Sequence, residues 1–345
     1  MSRQFDHVTL GQRVRFGTGA AAGHLAAEVE RLGARRVLLI GGRTAAEVAA
    51  RIDVAARCTD VAPHVPVENA ERARAVAAES GADLLVCVGG GSTTGLAKAV
   101  ALTTGLPIVA VPTTYAGSEA TNVWGLTEAA RKTTGVDDRV LPVTVVYDAA
   151  LTSSMPLDLS IASGCNALAH CVDSLWAPRA DPINQALAVE GARALAAGLR
   201  SISKDPGDLD GREQTLYGAY LAAVAFASAG SGLHHKICHV LGGAYNLPHA
   251  LTHTAVLPYV LAFNGSAAPE AAERIAGVLG GDLASLYDEI GASHVLRGVP
   301  DVREAARLVL PSVPPSNPRP VSEDDLAELL SAAQAGLNPT EWSRA

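Results

Sequence analysis

The sequence predicts an α/β N-terminal domain with a parallel sheet, residues 1–155, and an all-α C-terminal domain, residues 156–345, with the active site in the interdomain cleft. Three observations predict it. Residues 20–150 alternate short apolar runs with helical stretches. The runs are continuous and end in turn residues, as parallel strands buried on both faces do. After about residue 156 that punctuation stops, and alanine- and leucine-rich segments with helical spacing take over. A length of 345 residues agrees, because one hydrophobic core seldom organises so long a chain.

The elements follow in order. "AGHLAAEVERLG" is a helix stopped by Gly33, and "RRVLLIGG" (35–42) is the strand after it. "VENAERARAVAAESG" is a second helix, stopped by Gly81. The segments "ADLLVCVGGG" (82–91), "LPIVAVPTT" (106–114) and "PVTVVYD" (142–148) are further strands. "MPLDLS" is the hinge. Beyond it, "PINQALAVEGARALAAGLRSI", "EQTLYGAYLAAVAFASAG" and "SEDDLAELLSAAQ" read as helices, and "PSVPPSNPRP" (311–320) as an ordered loop.

Composition excludes several function classes. At 48% hydrophobic and 18% charged, with no apolar run long enough to span a bilayer, the chain reads as globular. The opening "MSRQFDHVTLGQRVRF" lacks the apolar core of a signal peptide, so the expected location is cytoplasmic. A net charge of -8 argues against nucleic acid, and any anion site must be local. The cysteines Cys58, Cys87, Cys165, Cys171 and Cys238 form no CxxC pair and read as buried thiols.

"VCVGGGSTTGLAKAVAL" puts Gly89, Gly90 and Gly91 at a strand end, with Ser92 opening a helix. Glycines let a pyrophosphate approach the backbone, while free N–H groups and the helix dipole attract it, as in Rossmann-like sheets. The pattern is neither GxGxxG nor a GKS/GKT loop, so alone it is equally a tight turn. "VPTTYAGSEATN" adds Thr113, Thr114 and Ser118 at the same end of the sheet. The first strand ends in Gly41, Gly42, Arg43 and Thr44, with no carboxylate to repel a 2'-phosphate; NADH and NADPH are both expected.

"GLHHKICHVLGGAYNLPHALTH" (232–253) holds His234, His235, His239, His249 and His253, out of ten histidines in the chain. On helices, His235 and His239 share a face, as do Asn166 and His170 in "SGCNALAHCVD". Converging His170, His235 and His249 would offer three imidazoles. Position 166, the natural fourth partner, is a neutral amide and a weak ligand, so divalent-ion affinity should be poor.

The order GGGST, PTT then GSE, a small-residue helix with the pattern DALxH, then GLxHxxxH and PH resembles the iron-containing (group III) alcohol dehydrogenase family over nearly the whole chain. By this resemblance the metal-ligand positions are Asn166, where the family has Asp, with His170, His235 and His249, and His239 is a further active-site histidine. The Asn, together with "GGGSTTGLAKA", "VPTTYAGSEATNVWGLTE", "GLHHKICHVLGG" and "NPRP", is similar to the maleylacetate reductase branch. That branch reduces maleylacetate to 3-oxoadipate with NADH or NADPH and is regarded as metal-free. Asn246 and Leu251 depart from it where its members carry acidic residues.

The resemblance implies a homodimer and a small dicarboxylate substrate. Hydride would add β to the ketone, leaving enolate charge for a partly cationic cradle of His170, His235 and His249, with His239 the leading proton donor and His235 the second. Lys236, His234, Tyr115, Asn122 and Arg319 are candidates for the substrate carboxylates, and Lys132 for the cofactor. The rival readings are an iron- or zinc-dependent alcohol dehydrogenase, a glycerol dehydrogenase or dehydroquinate synthase relative, and a non-catalytic nucleotide-binding or metal-storage protein.

Overall fold

The computed structural model describes residues 4–128 and 131–343, apart from the side chains of residues 131 and 132. The chain divides into two compact units, Leu10–Met155 and Pro156–Ala345, the latter taking in the segment before Leu10. A boundary at 155 alone would have given that segment to the first unit. It belongs to the second because His7 Nδ1 lies 2.8 Å from Asp181 Oδ2 and 3.4 Å from Ser228 Oγ.

In the first unit the strands are β1 (Arg13–Phe16), β2 (Val37–Ile40), β3 (Val54–Cys58), β4 (Leu84–Gly89), β5 (Ile108–Pro112), β6 (Val123–Glu128), β7 (Arg131–Val136) and β8 (Thr144–Tyr147). Six form a parallel sheet in the order β1-β8-β5-β4-β2-β3, and β6 and β7 form a separate antiparallel pair. The helices here are α1 (Ala21–Leu32), α2 (Arg43–Val48), α3 (Val67–Ser80) and α4 (Gly91–Thr104). Gly33 and Gly81 stop α1 and α3 in the left-handed conformation, at φ 67° and 58°.

Successive residues of the central strands feed opposite faces. Leu38, Ile40, Leu85, Cys87, Ile108 and Ala110 pack with Ala73 of α3 and Leu96 and Val100 of α4. Leu39, Val86, Val88 and Val109 pack with Leu25 and Val29 of α1 and Val48 of α2. Each Val, Leu or Ile side chain among them stabilises the fold by about 1.5–3 kcal/mol on full burial.

Two buried charges tie elements together. The Glu28 carboxylate accepts from Arg13, Arg15, Arg31 and Thr144, joining α1 to β1 and β8. Lys98 of α4 donates to the Thr121 and Val123 carbonyls at 2.7 and 2.8 Å and to Thr121 Oγ1 at 3.0 Å, fastening the start of β6 to the glycine-led helix. Burial pushes the Lys98 amine down to about 7.

The second unit opens with α5 (Leu157–Ser174), α6 (Pro182–Lys204), α7 (Leu209–Ala229), α8 (Leu233–Tyr245) and α9 (His249–Gly265), and further helices run to Pro339–Trp342. Asp181 and Asn184 form a capping box ahead of α6, with Pro182 in its first turn. Glycines bring α6 and α7 backbone to backbone: a Cβ on Gly218 would stand 2.8 Å from the Gly191 oxygen. On α5, a Cβ on Gly164 would meet Leu199 at 2.5 Å. The small-residue character of these helices is thus a packing requirement, and it sets the position of α5. The second core joins Leu233, Ile237 and Leu241 of α8 to Val256 and Val260 of α9 and to Leu326 and Leu330. The 311–320 loop is pinned by two Asn264–Asn317 bonds of 2.9 and 3.0 Å. Among the described residues no single helix is long and apolar enough to cross a membrane.

Candidate active site

The first unit builds a glycine-rich turn between β4 and α4. β5, β4 and β2 are neighbours, so Thr113 and Thr114, Gly89 to Ser92, and Gly41 lie at one edge of the sheet. The Gly89 carbonyl accepts from the Thr113 N–H at 3.0 Å, and the Gly41 N–H donates to Cys58 at 3.0 Å. A Cβ on Gly89 would meet Thr93 Oγ1 at 2.3 Å, and one on Gly90 the Thr114 methyl at 3.0 Å. Larger residues would fill the cradle. No side chain caps α4, whose Thr93 and Thr94 N–H groups bond the Gly90 carbonyl at 3.0 and 3.1 Å. Ser118 stands in the short turn Ser118–Ala120 behind the threonines, and Gly42 and Arg43 are exposed at the end of β2. The side chain of Lys132, on β7, lies outside the described residues.

The second unit builds the histidine site from three helices. α5 carries Asn166, His170 and Asp173; α8 carries His234, His235 and His239; α9 begins at His249 and carries His253. The ring centroids of His170 and His235 are 4.8 Å apart, and Phe226 packs at 4.7 and 4.4 Å from them. His249 lies 4.2 Å from His253 and 6.2 Å from His239, and His235 lies 5.8 Å from His239. His239 and His249 are exposed, whereas His170, His234, His235 and His253 are buried.

Burial opposes the charged form of the four buried rings. It pushes His170 down to about 3 and His234 to about 4, and holds His235 and His253 well below the usual histidine range. The partly cationic cradle expected from the sequence is therefore corrected for His170 and His235: a desolvated imidazole surrounded by other imidazoles does not hold a proton at neutral pH.

Asp173 escaped the sequence reading, and His253, noted there in the histidine-rich segment, was given no role. Asp173 Oδ2 lies 2.8 Å from His235 Nδ1 and accepts the backbone N–H groups of Gly232 and His235, each at 3.1 Å. Burial pushes its carboxyl up to about 7 against the pull of these donors. It was legible as the third member of the α5 face, three residues beyond His170 and seven beyond Asn166. His253, wholly buried, has both ring nitrogens without a partner. The buried atoms Asn166 Oδ1, His170 Nδ1 and His235 Nε2 also lack one. Unsatisfied polar atoms so concentrated mark a place for a polar ligand or water.

Among the described residues, ligating atoms fall mutually within 4.8 Å in two groups, His234, Cys238 and His253, and Asp173, His234 and His235. His170 and His249 belong to neither. The second group is knit by its own hydrogen bonds, and His234 of the first donates its Nε2 proton to the His253 carbonyl at 2.9 Å.

Several expected substrate contacts are engaged elsewhere. Tyr115 is buried and its hydroxyl lies 3.4 Å from Thr152 Oγ1. Asn122 donates to Asp138 at 2.7 Å, at the root of the β6–β7 pair. His234 is the buried donor just described. Arg319 lies 3.8 Å over the Phe263 ring and bonds Asp325 at 3.1 Å, which pins its loop. Lys236 is half-buried on α8. Asn246 takes the left-handed cap of α8 at φ 52°, a position that favours asparagine over an acidic residue, while Leu251 is exposed.

Residues 11–149 match the model of the iron-containing alcohol dehydrogenases, and residues 160–334 match the C-terminal model of the Fe-containing alcohol dehydrogenase family. The chain is 44% identical to a maleylacetate reductase of Sphingobium indicum, covering 97% of this chain and 99% of that protein. A crystal structure of an iron-containing alcohol dehydrogenase from Corynebacterium glutamicum superposes with a TM-score of 0.97 at 57% identity, covering 99% of this chain and 100% of that one. The maleylacetate reductase of Rhizobium sp. strain MTP-10005 gives 0.91 at 40% identity, with coverages of 97% and 99%. With both halves matched and relatives aligned end to end, the chain belongs to the iron-containing alcohol dehydrogenase family.

Proposed function

We propose that the chain is an NAD(P)H-dependent maleylacetate reductase that converts the carbon-carbon double bond of maleylacetate to give 3-oxoadipate, in aromatic-compound degradation, without a catalytic metal. The observation that carries this reading is Asn166. Its buried amide oxygen has no partner and stands where the family resemblance calls for a metal-binding aspartate. The nearby carboxylate, Asp173, is committed to His235 and two backbone N–H groups. A divalent ion at position 166 would meet an amide where an aspartate would bring charge, Asp173 has its Oδ2 taken by His235 and the backbone, and His170 and His249 do not gather their nitrogens with the others. The residues do not fit the family's iron.

A nicotinamide cofactor does fit. Gly41, Gly42, Gly89, Gly90, Gly91, Ser92, Thr113, Thr114 and Ser118 would hold its phosphates and ribose, and bound there it supplies a hydride. Arg43, whose carboxylate neighbour Glu47 is 3.6 Å away and exposed to solvent, supports use of both NADH and NADPH. The chain's own residues then have two tasks. Imidazole N–H groups of the cluster stabilise the negative charge that develops on the ketone oxygen, His235 excepted because its Nδ1 faces Asp173. His239, exposed beside His235 and His249, returns a proton to the enolate. The reading also takes the chain as a cytoplasmic homodimer whose partner is a small dicarboxylate, with no nucleic acid and no membrane.

The name of the Corynebacterium relative favours a second reading, a metal-dependent alcohol dehydrogenase acting on a small carbonyl compound. One assay separates the two: NADH oxidation with maleylacetate, with and without chelator. Turnover indifferent to chelation is the expected result; activity lost in EDTA and regained with iron or zinc would overturn the metal-free reading.

A further inference from the structure

The hydrogen bonds around His235 define which of its nitrogens carries the hydrogen. His234 Nε2 faces the His253 carbonyl at 2.9 Å, and a carbonyl only accepts, so the His234 hydrogen is on Nε2 and its Nδ1 is a bare lone pair. That lone pair lies 3.4 Å from His235 Nδ1, and Asp173 Oδ2 lies 2.8 Å from the same atom. His235 Nδ1 thus meets two acceptors, of which the carboxylate is much the nearer, and must carry the ring hydrogen. The opposite nitrogen, Nε2, is left buried with no partner.

Asp173 is itself held. Its Oδ2 takes the backbone N–H groups of Gly232 and His235 at 3.1 Å each, at the start of α8. A Cβ on Gly232 would stand 2.5 Å from Asp173 Oδ1, so a glycine is needed for this approach. The acceptor, the ring and the helix start form one rigid corner.

We propose that Asp173 is a positioning residue of the reaction: it fixes the orientation and tautomer of His235 so that Nε2 is always the nitrogen offered to the substrate. Carboxylate-held imidazoles elsewhere work in this way, and the wrong tautomer costs such sites much of their turnover. The proposal rests on the reductase reading above for its substrate, but its structural half does not.

The test is long-range 1H–15N NMR of the histidine-labelled full-length chain, with the His235 signals assigned by their loss in His235→Asn, alongside steady-state kinetics with NADH and maleylacetate. Wild type should show the Nδ1–H tautomer at His235. Asp173→Ala should mix or reverse it and lower kcat by at least about tenfold, with KM for NADH within about twofold. Asp173→Asn should keep the tautomer and kcat within about threefold, because the two backbone donors hold the amide oxygen, not the amide nitrogen, in the corner. An Nε2–H tautomer in wild type overturns the proposal even if the alanine chain fails to fold. A tautomer unchanged in Asp173→Ala also overturns it, handing the role to His234. No NADH oxidation by wild type beside the expected tautomer would instead sink the reductase reading.

Discussion

Gly232 and Asp173 occupy the same space: a methyl group on the glycine would lie 2.6 Å from the carboxylate carbon and 2.5 Å from Oδ1. Gly232→Ala should therefore push Asp173 off His235 and strain the start of α8. The expected loss is about 1–3 kcal/mol of stability, read as a lower urea midpoint, together with a drop in kcat.

Restoring the carboxylate at position 166 should restore an ion site. Asn166→Asp gives the imidazoles an anionic companion, and zinc or ferrous ion should bind at least about tenfold more tightly than to wild type. Isothermal titration of the two chains side by side checks this, and equal affinities would count against the role assigned to Asn166.

His239→Ala removes the proposed proton donor from the exposed side of the cluster. Turnover should fall by about 10²-fold or more while NADH affinity, measured by fluorescence titration, stays within about twofold.

The coenzyme preference should be shallow. The Arg43 side chain is 93% exposed and its nearest carboxylate, Glu47, is 3.6 Å away and also in solvent, so the guanidinium is available to a 2'-phosphate. The ratio of kcat/KM between NADH and NADPH should stay below about a hundredfold, near 2.7 kcal/mol, and Arg43→Ala should weaken NADPH use more than NADH use.

Acid should unfold the helical unit through its histidines. His170 falls from an ordinary 6.5 to about 3 because burial opposes its charged form. The unfolded chain therefore binds a proton that the folded chain refuses: the stability is present above pH 6.5 and is lost as pH falls toward 3. His170→Phe should flatten this acid-side slope by about 1.4 kcal/mol per pH unit, measured by urea unfolding at several pH values.

The legible part of the fold was its centre. β2, β4, β5 and β8 are buried on both faces and stand out as apolar runs. β1 and β3 are the sheet's edges, and "VAARC" of β3 alternates between half-buried and exposed, so no run announces it. The β6–β7 pair is rich in polar residues and is fastened by Lys98 from a distant helix, a tertiary contact that local pattern does not encode. In the site, spacing along one helix gave His235 with His239 and Asn166 with His170. Asp173 was missed because its partner is 62 residues away. The internal partners of Tyr115 and Asn122 were not legible because a polar side chain near a motif reads alike whether it faces a ligand or the interior.

Lys98 has a practical consequence. The chain has four lysines, Lys98, Lys132, Lys204 and Lys236, and among the described side chains Lys98 is the one whose amine is sealed behind Thr121 and Val123. Burial lowers that amine toward the uncharged, nucleophilic form, yet an acylating reagent reaches it only when the packing around α4 comes apart. The rate at which mass spectrometry finds a label on Lys98, set against exposed Lys204, is therefore a stopwatch for local opening of the glycine-led helix, readable without any substrate.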